Sequence, residues 1–515
     1  MFPTTAGTAS FSVALPSEQA TEKLMRDIAL IIKPGDLLTL SGDLGAGKTT
    51  FARALIREFA GDPAIEVPSP TFTLTQSYDL PPFQLVHADL YRLSGSSELA
   101  ELGFDDLPPE TVMLIEWPDR AGGFLPPNRL DIAFTLAPQQ GASYRNARIT
   151  GYGTFGPRVE RLHVVRRFLA QSGFAHAGRR RVQGDASTRI YERLQQNGRS
   201  FILMDAPRRP DGPPVQDGKP YSAIAHLAED VTPFIAMANG LSARGFSAPQ
   251  VVSADREAGL LILEDFGKDG VVAGQPPNPV LPIQARYEVA VDVLVALHEL
   301  TLPDTLPVAP GVTYTIPRYD IDAFMIELEL LLDWYLPMMK TAPSETRRDT
   351  YLSLWRDVLR DVLAGETSWV LRDYHSPNLM WLSRRQEIAR IGLLDFQDAL
   401  IGPSAYDVAS LLQDARVDIP EKLELTLLSR YMRARHQADP NFDAANFAQL
   451  YSIMAAQRAS KILGIFARLD RRDHKPQYLR HIPRVWGYLQ RALAHPSLGG
   501  LKAWYASNVP ALKTI

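Results

Sequence analysis

The sequence predicts two domains: an α/β domain with a mainly parallel sheet, and an α+β domain with a small β-rich lobe and a large helical lobe. A chain of 515 residues is too long for one ordinary hydrophobic core. Strand-like and helix-like segments alternate over the first 150 residues, which is typical of a parallel sheet covered by helices. From about residue 284 onward, the apolar spacing is mostly helical.

The predicted domain limits follow changes in composition. Residues 138–160 are polar, contain glycine and show little periodic apolar pattern, so we place a domain edge there. The limits are 1–150 for the first domain, 151–163 for a linker and 164–515 for the second domain, with the small lobe at 164–267 and the large lobe at 268–515.

Composition excludes several classes of protein. The formal net charge of −4 argues against a general nucleic-acid coat, because phosphate contacts require a basic face. No apolar run approaches the ~20 residues needed to cross a bilayer, and the first residues lack a signal-peptide pattern. Without cysteine there is no disulfide, thiolate zinc site or cysteine nucleophile. We therefore expect a cytoplasmic protein without membrane association.

The elements of the first domain can be placed in order. Residues 18–34 have helical apolar spacing that ends at a Pro-Gly pair, and 36–41 form a short buried strand ended by Gly42. After a glycine-rich loop, residues 50–59 again have helical spacing. Further short strands are predicted at 71–78, 84–88, 112–116 and 129–137.

The loop between that strand and helix has the spacing G-x-x-x-x-G-K-T, a phosphate-binding P-loop. Its glycines let backbone N–H groups turn toward phosphate oxygens, and the following helix points its positive N-terminus at the same place. The lysine reaches the terminal phosphates, and the threonine hydroxyl is a magnesium ligand. The residues expected to hold a nucleoside triphosphate here are Gly42, Gly45, Gly47, Lys48, Thr49 and Thr50.

Two acidic residues follow predicted strands of the same domain. Asp89 comes after the strand at 84–88, and Glu116 ends the strand at 112–116. In open α/β sheets, ligands bind beyond the carboxyl ends of the strands, so both carboxylates are expected near the phosphates. Asp89 and Glu116 are therefore the two candidates for the carboxylate that Mg²⁺ needs beside Thr49, and the alternative for either is a solvated loop acid.

Five short motifs occur along this domain: GDLGAGKTTF at 42–51, SPTFTL at 69–74, HADLYRL at 87–93, ELGFDD at 101–106 and IEWPDR at 115–120. In these motifs the first 150 residues resemble the TsaE family, the bacterial P-loop ATPases required for threonylcarbamoyladenosine formation in tRNA. TsaE proteins associate with the TsaD and TsaB subunits and hydrolyse ATP to drive that complex. The resemblance therefore implies ATP and Mg²⁺ as cofactors, these two subunits as partners, and an indirect association with tRNA.

The resemblance also implies roles for individual residues. Ser69, Pro70 and Thr71 would form a switch-like loop near the γ-phosphate, where Thr71 contacts the nucleotide. Asp89 and Glu116 would organise magnesium and the attacking water, which makes Glu116 a catalytic residue. The residues implied to support this site are Tyr91, Arg92 and Trp117.

The second domain contains a spaced pair of polar residues followed by a third. Asp373 is followed five residues later by Asn378, and Asp395 ends an apolar strand further along. In a kinase catalytic loop, an aspartate at this spacing accepts the substrate hydroxyl proton, while the asparagine and a later Asp-Phe aspartate bind magnesium. The pattern therefore predicts Asp373 as the catalytic base and Asn378 and Asp395 as metal ligands.

The upstream half fits a small lobe that holds ATP. A phosphate-covering turn is predicted at 184–189, and a hinge at 262–267 that contains Glu264. Met204 stands where kinases usually have the phosphate-binding lysine, and Arg189, Arg193 or Lys219 are alternatives for that role. The nucleotide-binding residues predicted here are Ser187, Thr188, Arg189 and Glu264.

Residues from about 160 to 515 resemble the aminoglycoside phosphotransferase-like family, and within it the AmgK amino-sugar kinases. The matching stretches are GDASTRIYERL at 184–194, FILMDAP at 201–207, LILEDFG at 261–267, LRDYHSPNLMWL at 371–382 and LLDFQDALIGPSAYDVASLLQDAR at 393–416. The resemblance implies phosphorylation of N-acetylmuramate or N-acetylglucosamine at the anomeric hydroxyl, in cell-wall recycling. It gives Asp373, Asn378 and Asp395 the roles stated above, and Asp407 would brace the catalytic loop.

The whole chain is thus interpreted as a fusion of a TsaE-like ATPase with an amino-sugar kinase. One alternative is a kinase for another small molecule, of aminoglycoside or choline type, with a regulatory nucleotide-binding domain. Another is a non-catalytic kinase-like module that docks the tRNA-modification complex. The basic run 179–181 is interpreted as a solvated face.

Overall fold

The computed structural model describes residues 7–81, 83–93, 98–99, 102–122, 124–182, 189–274 and 280–510. The chain divides into two compact units, Met1–Ser200 and Phe201–Ile515. None of the described helices is long and apolar enough to cross a membrane.

The first unit is built on a seven-stranded sheet with helices packed on it. Its strands are β1 (Ala9–Leu15), β2 (Leu37–Ser41), β3 (Thr75–Leu80), β4 (Phe83–Asp89), β5 (Val112–Glu116), β6 (Leu130–Leu136) and β7 (Arg145–Gly151), and its helices are α1 (Glu18–Ala29), α2 (Lys48–Ala60) and α3 (Phe155–Gln171). The strand order is β1-β7-β6-β2-β5-β4-β3. The hairpin β8 (Gly178–Val182) and β9 (Ile190–Gln196) follows.

The centre of this sheet is parallel and its edges are antiparallel. Strand β2 pairs in parallel with β5 and β6, and β4 pairs in parallel with β5. The pairs β3–β4, β6–β7 and β1–β7 are antiparallel. The predicted α/β class with parallel strands is confirmed, and the antiparallel edge strands qualify the expectation of a mainly parallel sheet.

The segment expected to be a linker, residues 151–163, is regular structure. It contains the end of β7 and the first half of α3, whose Phe155 and Val159 are fully buried in the core of the first unit. The sequence looked irregular because β7 exposes every second residue and carries only small or polar side chains on that face. The domain limits themselves stay a prediction.

One residue of the basic run 179–181 is not solvated. The Arg179 side chain is only 4% exposed, and it donates to Glu192 at 2.7 Å and to Asp27 of α1 at 2.8 Å. Arg166 of α3 also pairs with Asp27. The interpretation as a solvated face is therefore wrong for Arg179, because two acids distant in sequence surround it.

The second unit has a small antiparallel sheet and a large helical part. Strands β10 (Arg199–Asp205) and β13 (Val251–Asp255) both pair with β14 (Leu260–Glu264). The other strands are short pairs: β11 (Pro214–Gln216), β12 (Lys219–Pro220), β15 (Val272–Ala273), β16 (Leu281–Pro282), β17 (Thr305–Ala309), β18 (Val312–Thr315), β19 (Thr367–Val370), β20 (Leu379–Trp381), β21 (Ile391–Leu393) and β22 (Leu400–Pro403).

The helices make up most of the mass of this unit. They are α4 (Tyr221–Ile224), α5 (Thr232–Ser242), α6 (Gln284–His298), α7 (Ile321–Leu330), α8 (Leu336–Met338), α9 (Glu345–Leu363), α10 (Ala405–Leu412), α11 (Glu421–Ala438), α12 (Ala444–Arg471), α13 (Ile482–Ala492) and α14 (Gly499–Asn508). Helix α12 runs through the centre, and most of its residues between Phe447 and Ala467 are buried. The predicted α+β class with a β-rich lobe and a helical lobe is confirmed.

Candidate functional sites

The P-loop connects β2 to α2, as its spacing requires. Gly42 has a φ of +130°, and a Cβ there would overlap the carbonyl oxygen of Phe134, so only glycine fits. Lys48 begins α2, and its Nζ donates to the carbonyl oxygens of Gly42 at 2.7 Å and Asp43 at 3.0 Å. The lysine thus lies folded over its own loop, where the phosphates of a nucleotide would compete for it. Thr50 is half-buried in the first turn of α2.

The two predicted acids end neighbouring parallel strands. Asp89 of β4 lies directly opposite Glu116 of β5, and both side chains are buried. The Thr49 hydroxyl donates to Glu116 Oε2 at 2.8 Å, which links the start of α2 to this edge of the sheet. The structure therefore brings together the three residues predicted to hold magnesium.

Asp89 is also held by the loop that was predicted to respond to the nucleotide. The Thr71 hydroxyl donates to Asp89 Oδ2 at 2.8 Å, and Ser69 and Thr71 share a hydrogen bond of 2.8 Å. The backbone N–H of Tyr91 donates to Asp89 Oδ1 at 3.0 Å. Any displacement of this loop therefore changes the hydrogen bonds of Asp89.

Aromatic rings cover the lysine. The Nζ of Lys48 lies 3.7 Å from the centroid of the Trp117 ring, which in turn lies 5.0 Å from the Tyr91 ring. Burial lowers the pKa of Lys48, while the negative charges of Glu116 and Asp89 oppose that shift. The predicted supporting residue Arg92 instead stacks on the exposed ring of Phe72, 4.1 Å away.

Two residues of this site were not predicted. His87 is fully buried on β4, and its Nε2 lies 2.9 Å from Glu116 Oε1. Arg145 of β7 donates to the carbonyl oxygen of Gly45 at 3.4 Å and so adds a positive charge beside the P-loop. His87 lies two residues before Asp89 on the same face of a strand, a spacing that could have indicated it.

The oxygen atoms of this site suit magnesium, which binds few protein ligands, better than a metal ion whose ligands are all protein side chains. No group of three or more His, Asp and Glu side chains suited to enclose a metal ion occurs in the described ranges. Magnesium usually takes one or two protein carboxylates and completes its shell with water and nucleotide phosphates. Thr49, Asp89 and Glu116 supply one hydroxyl and two carboxylates, which is the kind of partial ligand set that magnesium uses.

In the second unit, Asp407 braces the predicted catalytic loop. Its carboxylate, fully buried on α10, accepts the backbone N–H of Leu371 at 2.5 Å and that of Arg372 at 2.9 Å. Arg372 has a φ of +71°, so the loop turns sharply just before Asp373. Ser376 is fixed in the same way by Asp414, which was not predicted and which accepts both its N–H at 2.9 Å and its hydroxyl at 2.5 Å.

The three predicted polar residues of this loop lie together. The Asn378 side chain donates to the carbonyl oxygen of Asp373 at 2.9 Å, and the Leu394 N–H donates to the carbonyl oxygen of Asn378 at 2.9 Å. Strands β20 and β21 are antiparallel, so Asp395 emerges beside the start of β20. Asp395 has a φ of +56°, a strained conformation of the kind found at functional sites.

The electrostatics of Asp373 suit a group that meets a substrate. Its side chain is 41% exposed, and His375 Nε2 lies 3.7 Å from its Oδ1. The enclosing cleft by itself would raise its pKa, but His375, Lys461 and Arg458 lower that pKa well below its ordinary value. The carboxylate therefore stays ionised at neutral pH.

The predicted small-lobe residues are only partly described. Ser187 and Thr188 lie outside the described residues, and Arg189 directly precedes β9. Glu264 ends β14 and accepts a hydrogen bond of 2.6 Å from Arg385. Met204 is buried on β10, so the strand position where kinases have a lysine carries no charge here. Of the proposed replacements, Arg193 lies in β9 and Lys219 is exposed in β12.

Comparison with known proteins finds two families in succession. Residues 15–145 match the family described as threonylcarbamoyl adenosine biosynthesis protein TsaE, and residues 178–448 match the phosphotransferase enzyme family. The chain is 38% identical to an N-acetylmuramate/N-acetylglucosamine kinase of Caulobacter vibrioides, over 67% of this chain and 95% of that protein. It is 34% identical to the kinase of the same name from Pseudomonas aeruginosa, over 63% of this chain and 87% of that protein. It is 42% identical to the tRNA threonylcarbamoyladenosine biosynthesis protein TsaE of Rickettsia conorii, over 23% of this chain and 67% of that protein.

Proposed function

Because the chain belongs to the TsaE family over residues 15–145 and to the phosphotransferase enzyme family over residues 178–448, we propose that it combines a tRNA-modification ATPase with an amino-sugar kinase. Both activities use ATP. The kinase assignment is supported by the hydrogen bonds of Asn378 to Asp373 and to Leu394, the residue before Asp395. It is also supported by 38% identity to an N-acetylmuramate/N-acetylglucosamine kinase along 95% of its length.

In the first unit, we assign ATP hydrolysis to the edge of the sheet around the P-loop. Lys48 would leave the carbonyl oxygens of its own loop and bind the terminal phosphates. Thr49, Asp89 and Glu116 would hold Mg²⁺, which when bound neutralises charge on the phosphates. Glu116, fixed by Thr49 and His87, would orient the attacking water, and Thr71 would sense the γ-phosphate through Asp89.

The partners of this unit would be the TsaD and TsaB subunits of the threonylcarbamoyl-transfer complex, with tRNA reached only through them. In support, large apolar side chains are exposed on the P-loop and on the loop after Pro70. Leu44 is 77% exposed and Phe72 is 82% exposed. Exposed apolar groups of this kind beside a nucleotide site suit a protein partner that responds to hydrolysis.

Replacing Lys48 with alanine tests the first activity. We expect ATP hydrolysis by the full chain and formation of threonylcarbamoyladenosine with TsaD and TsaB to fall at least about a hundredfold, because the phosphates lose their main cation. Sugar phosphorylation should be unchanged. The matched control is Lys33→Ala, an exposed lysine of the same unit that precedes β2. Loss of both activities in Lys48→Ala would contradict two independent sites.

In the second unit, we propose in-line transfer of the γ-phosphoryl group to the anomeric hydroxyl of N-acetylmuramate or N-acetylglucosamine. The hydroxyl oxygen bonds to the γ-phosphorus as the bond to ADP breaks, and Asp373 takes the hydroxyl proton. Asn378 and Asp395 would hold Mg²⁺, and Glu264, Arg189, Ser187 and Thr188 would bind the nucleotide. Most of the acceleration would come from positioning and charge stabilisation.

A panel of acceptors tests the substrate class. N-acetylmuramate, N-acetylglucosamine, an aminoglycoside and choline are each incubated with ATP and the full chain, and the phosphorylated product is measured. We expect phosphate transfer to the two amino sugars and an alkali-stable, acid-labile product, as an anomeric phosphate is. Transfer to the aminoglycoside or choline would instead indicate another small-molecule kinase. Transfer to none of them would favour a non-catalytic docking module, a role that Met204 in place of a lysine allows.

A further inference from the structure

A cluster of charged side chains lies beneath the catalytic loop of the second unit. Its acids are Glu327 of α7, Asp407 of α10 and, at the open edge, Asp373, and its bases are Arg372 of the loop with Arg458 and Lys461 of α12. Three positive charges thus accompany three negative ones. Burying charges costs free energy unless each is compensated, so the pairing within this cluster is informative.

Two of the bases belong to Glu327. Its carboxylate, with no exposed surface, pairs with Arg372 and accepts a hydrogen bond of 2.8 Å from Lys461. Tyr319 and Gln457 complete its coordination at 2.5 Å and 3.0 Å. Glu327 therefore forms direct ion pairs with both Arg372 and Lys461.

This leaves one buried acid and one buried base. Asp407 accepts only backbone N–H groups, and no ion pair to it occurs in the described part of the chain. Arg458 is 6% exposed and forms neither a hydrogen bond nor an ion pair with any described residue. Its guanidinium carbon lies 5.7 Å from the ring centroid of Tyr406, the residue directly before Asp407. The two charges without an ion pair are thus opposite in sign, and the guanidinium lies beside the ring of the residue that precedes the acid.

We propose that Arg458 is a positioning residue: its buried guanidinium supplies the positive charge that favours the ionised form of the Asp407 carboxylate, and Asp407 then holds the loop that carries Asp373. The inference rests on the proposed kinase activity. The hydrogen bonds of Asp407 explain how the loop is held, whereas Arg458 explains how a fully buried carboxylate can ionise near neutral pH.

The charges around Asp407 support this assignment. The pKa of Asp407 is raised to about 7: burial is the main cause, the two backbone N–H groups and Arg458 oppose the rise, and Asp373 adds to it. The pKa of Tyr374 in the loop is raised by burial first and then by the negative charges of Asp407 and Asp292 of α6. Asp292 is itself paired at 2.7 Å with Arg430 of α11, so its charge is already compensated. Arg458 is the cation with the largest effect on Asp407.

The test is the pH profile of sugar phosphorylation in Arg458→Met and Arg458→Lys. Without the cation, the pKa of Asp407 should rise, so the acid limb of kcat should move upward by about one pH unit. We expect kcat at pH 7 to fall about fivefold and to recover by pH 9, with KM for ATP nearly unchanged. Arg458→Lys should restore most of the activity. Arg471→Met is the matched control, because Arg471 ends the same helix and is exposed, where it donates to the carbonyl oxygen of Pro337.

A double-mutant cycle separates this role from a general structural one. If Arg458 acts through Asp407, adding Arg458→Met to Asp407→Asn should lower kcat by less than about twofold. The proposal is overturned if Arg458→Met loses the same fraction of activity at every pH, or loses as much in the Asp407→Asn background. If Arg458→Met does not fold, Arg458→Gln serves the same comparison. A wild-type chain that phosphorylates no amino sugar would refute the proposed function instead.

Discussion

An Asp373→Asn variant is expected to lose phosphoryl transfer to the amino sugar by a factor of about 10³ in kcat, since removal of a general base costs 10²–10⁴. Asparagine has nearly the same shape but cannot take the hydroxyl proton. The fold should survive, because the loop is held by the backbone of Leu371 and Arg372 on Asp407 and by the carbonyl oxygen of Asp373 on Asn378. None of these bonds uses the Asp373 side chain.

The measurement is the rate of sugar phosphate formation by the full chain at saturating ATP and sugar. Because the sugar phosphate itself is measured, ATP hydrolysis at the P-loop does not contribute to the signal. KM for both substrates and hydrolysis at the P-loop should be unchanged. Asp357→Asn is the matched control, because Asp357 is an exposed acid of α9 that pairs with Arg360 on the same helix. If Asp373→Asn keeps more than a tenth of the wild-type kcat, Asp373 is not the base.

Much of the first unit could be predicted because its elements are locally encoded. The strand, P-loop and helix around Lys48 combine a continuous apolar run, fixed glycines and helical spacing, and the structure has them within two residues of the predicted limits. Strands β1 and β7 were missed because only one face of each is buried, so their alternation of small and polar residues resembles a loop. Their strand character comes from pairing with each other across the chain.

The residues of the sites also divide into those that a local motif encodes and those that only tertiary packing brings together. Asp373, Asn378 and Asp395 were predicted because they lie in one short motif around a strand pair. Glu327 and Arg458 were not, because they come from helices distant in sequence and each looks like any charged residue of an amphipathic helix. Only the tertiary structure shows that these side chains are buried and face the catalytic loop. Charge compensation in a core is a property of packing, and no local pattern encodes it.

Glu327→Gln is expected to destabilise the second unit by about 3–5 kcal/mol, the usual cost of removing one partner of a buried ion pair. The amide keeps the shape but leaves Arg372 and Lys461 without a counter-ion, and its NH₂ group faces the donors of Tyr319 and Gln457. The matched control is Glu329→Gln on the same helix. Glu329 pairs with Arg348, which retains Asp333 and lies near the surface, so the loss there should be below about 1 kcal/mol.

The pH dependence of the stability difference between wild type and Glu327→Gln follows from the direction in which folding shifts the pKa of Glu327. Burial alone would raise the pKa of Glu327, but Lys461 and Arg372 overcome it and lower the pKa to about 2. A carboxylate whose pKa is lowered by folding stabilises the protein above its unfolded pKa of about 4.3, and the gain disappears as pH falls through the folded value. The difference in free energy of unfolding between wild type and Glu327→Gln should therefore be constant above about pH 5 and become small toward pH 2.

Urea unfolding followed by tryptophan fluorescence measures this difference for the second unit. Six of the seven tryptophans lie in that unit, and Trp117 lies in the first. A gap no larger than that of Glu329→Gln, or one that does not narrow in acid, would mean that Glu327 is not the counter-ion of the cluster.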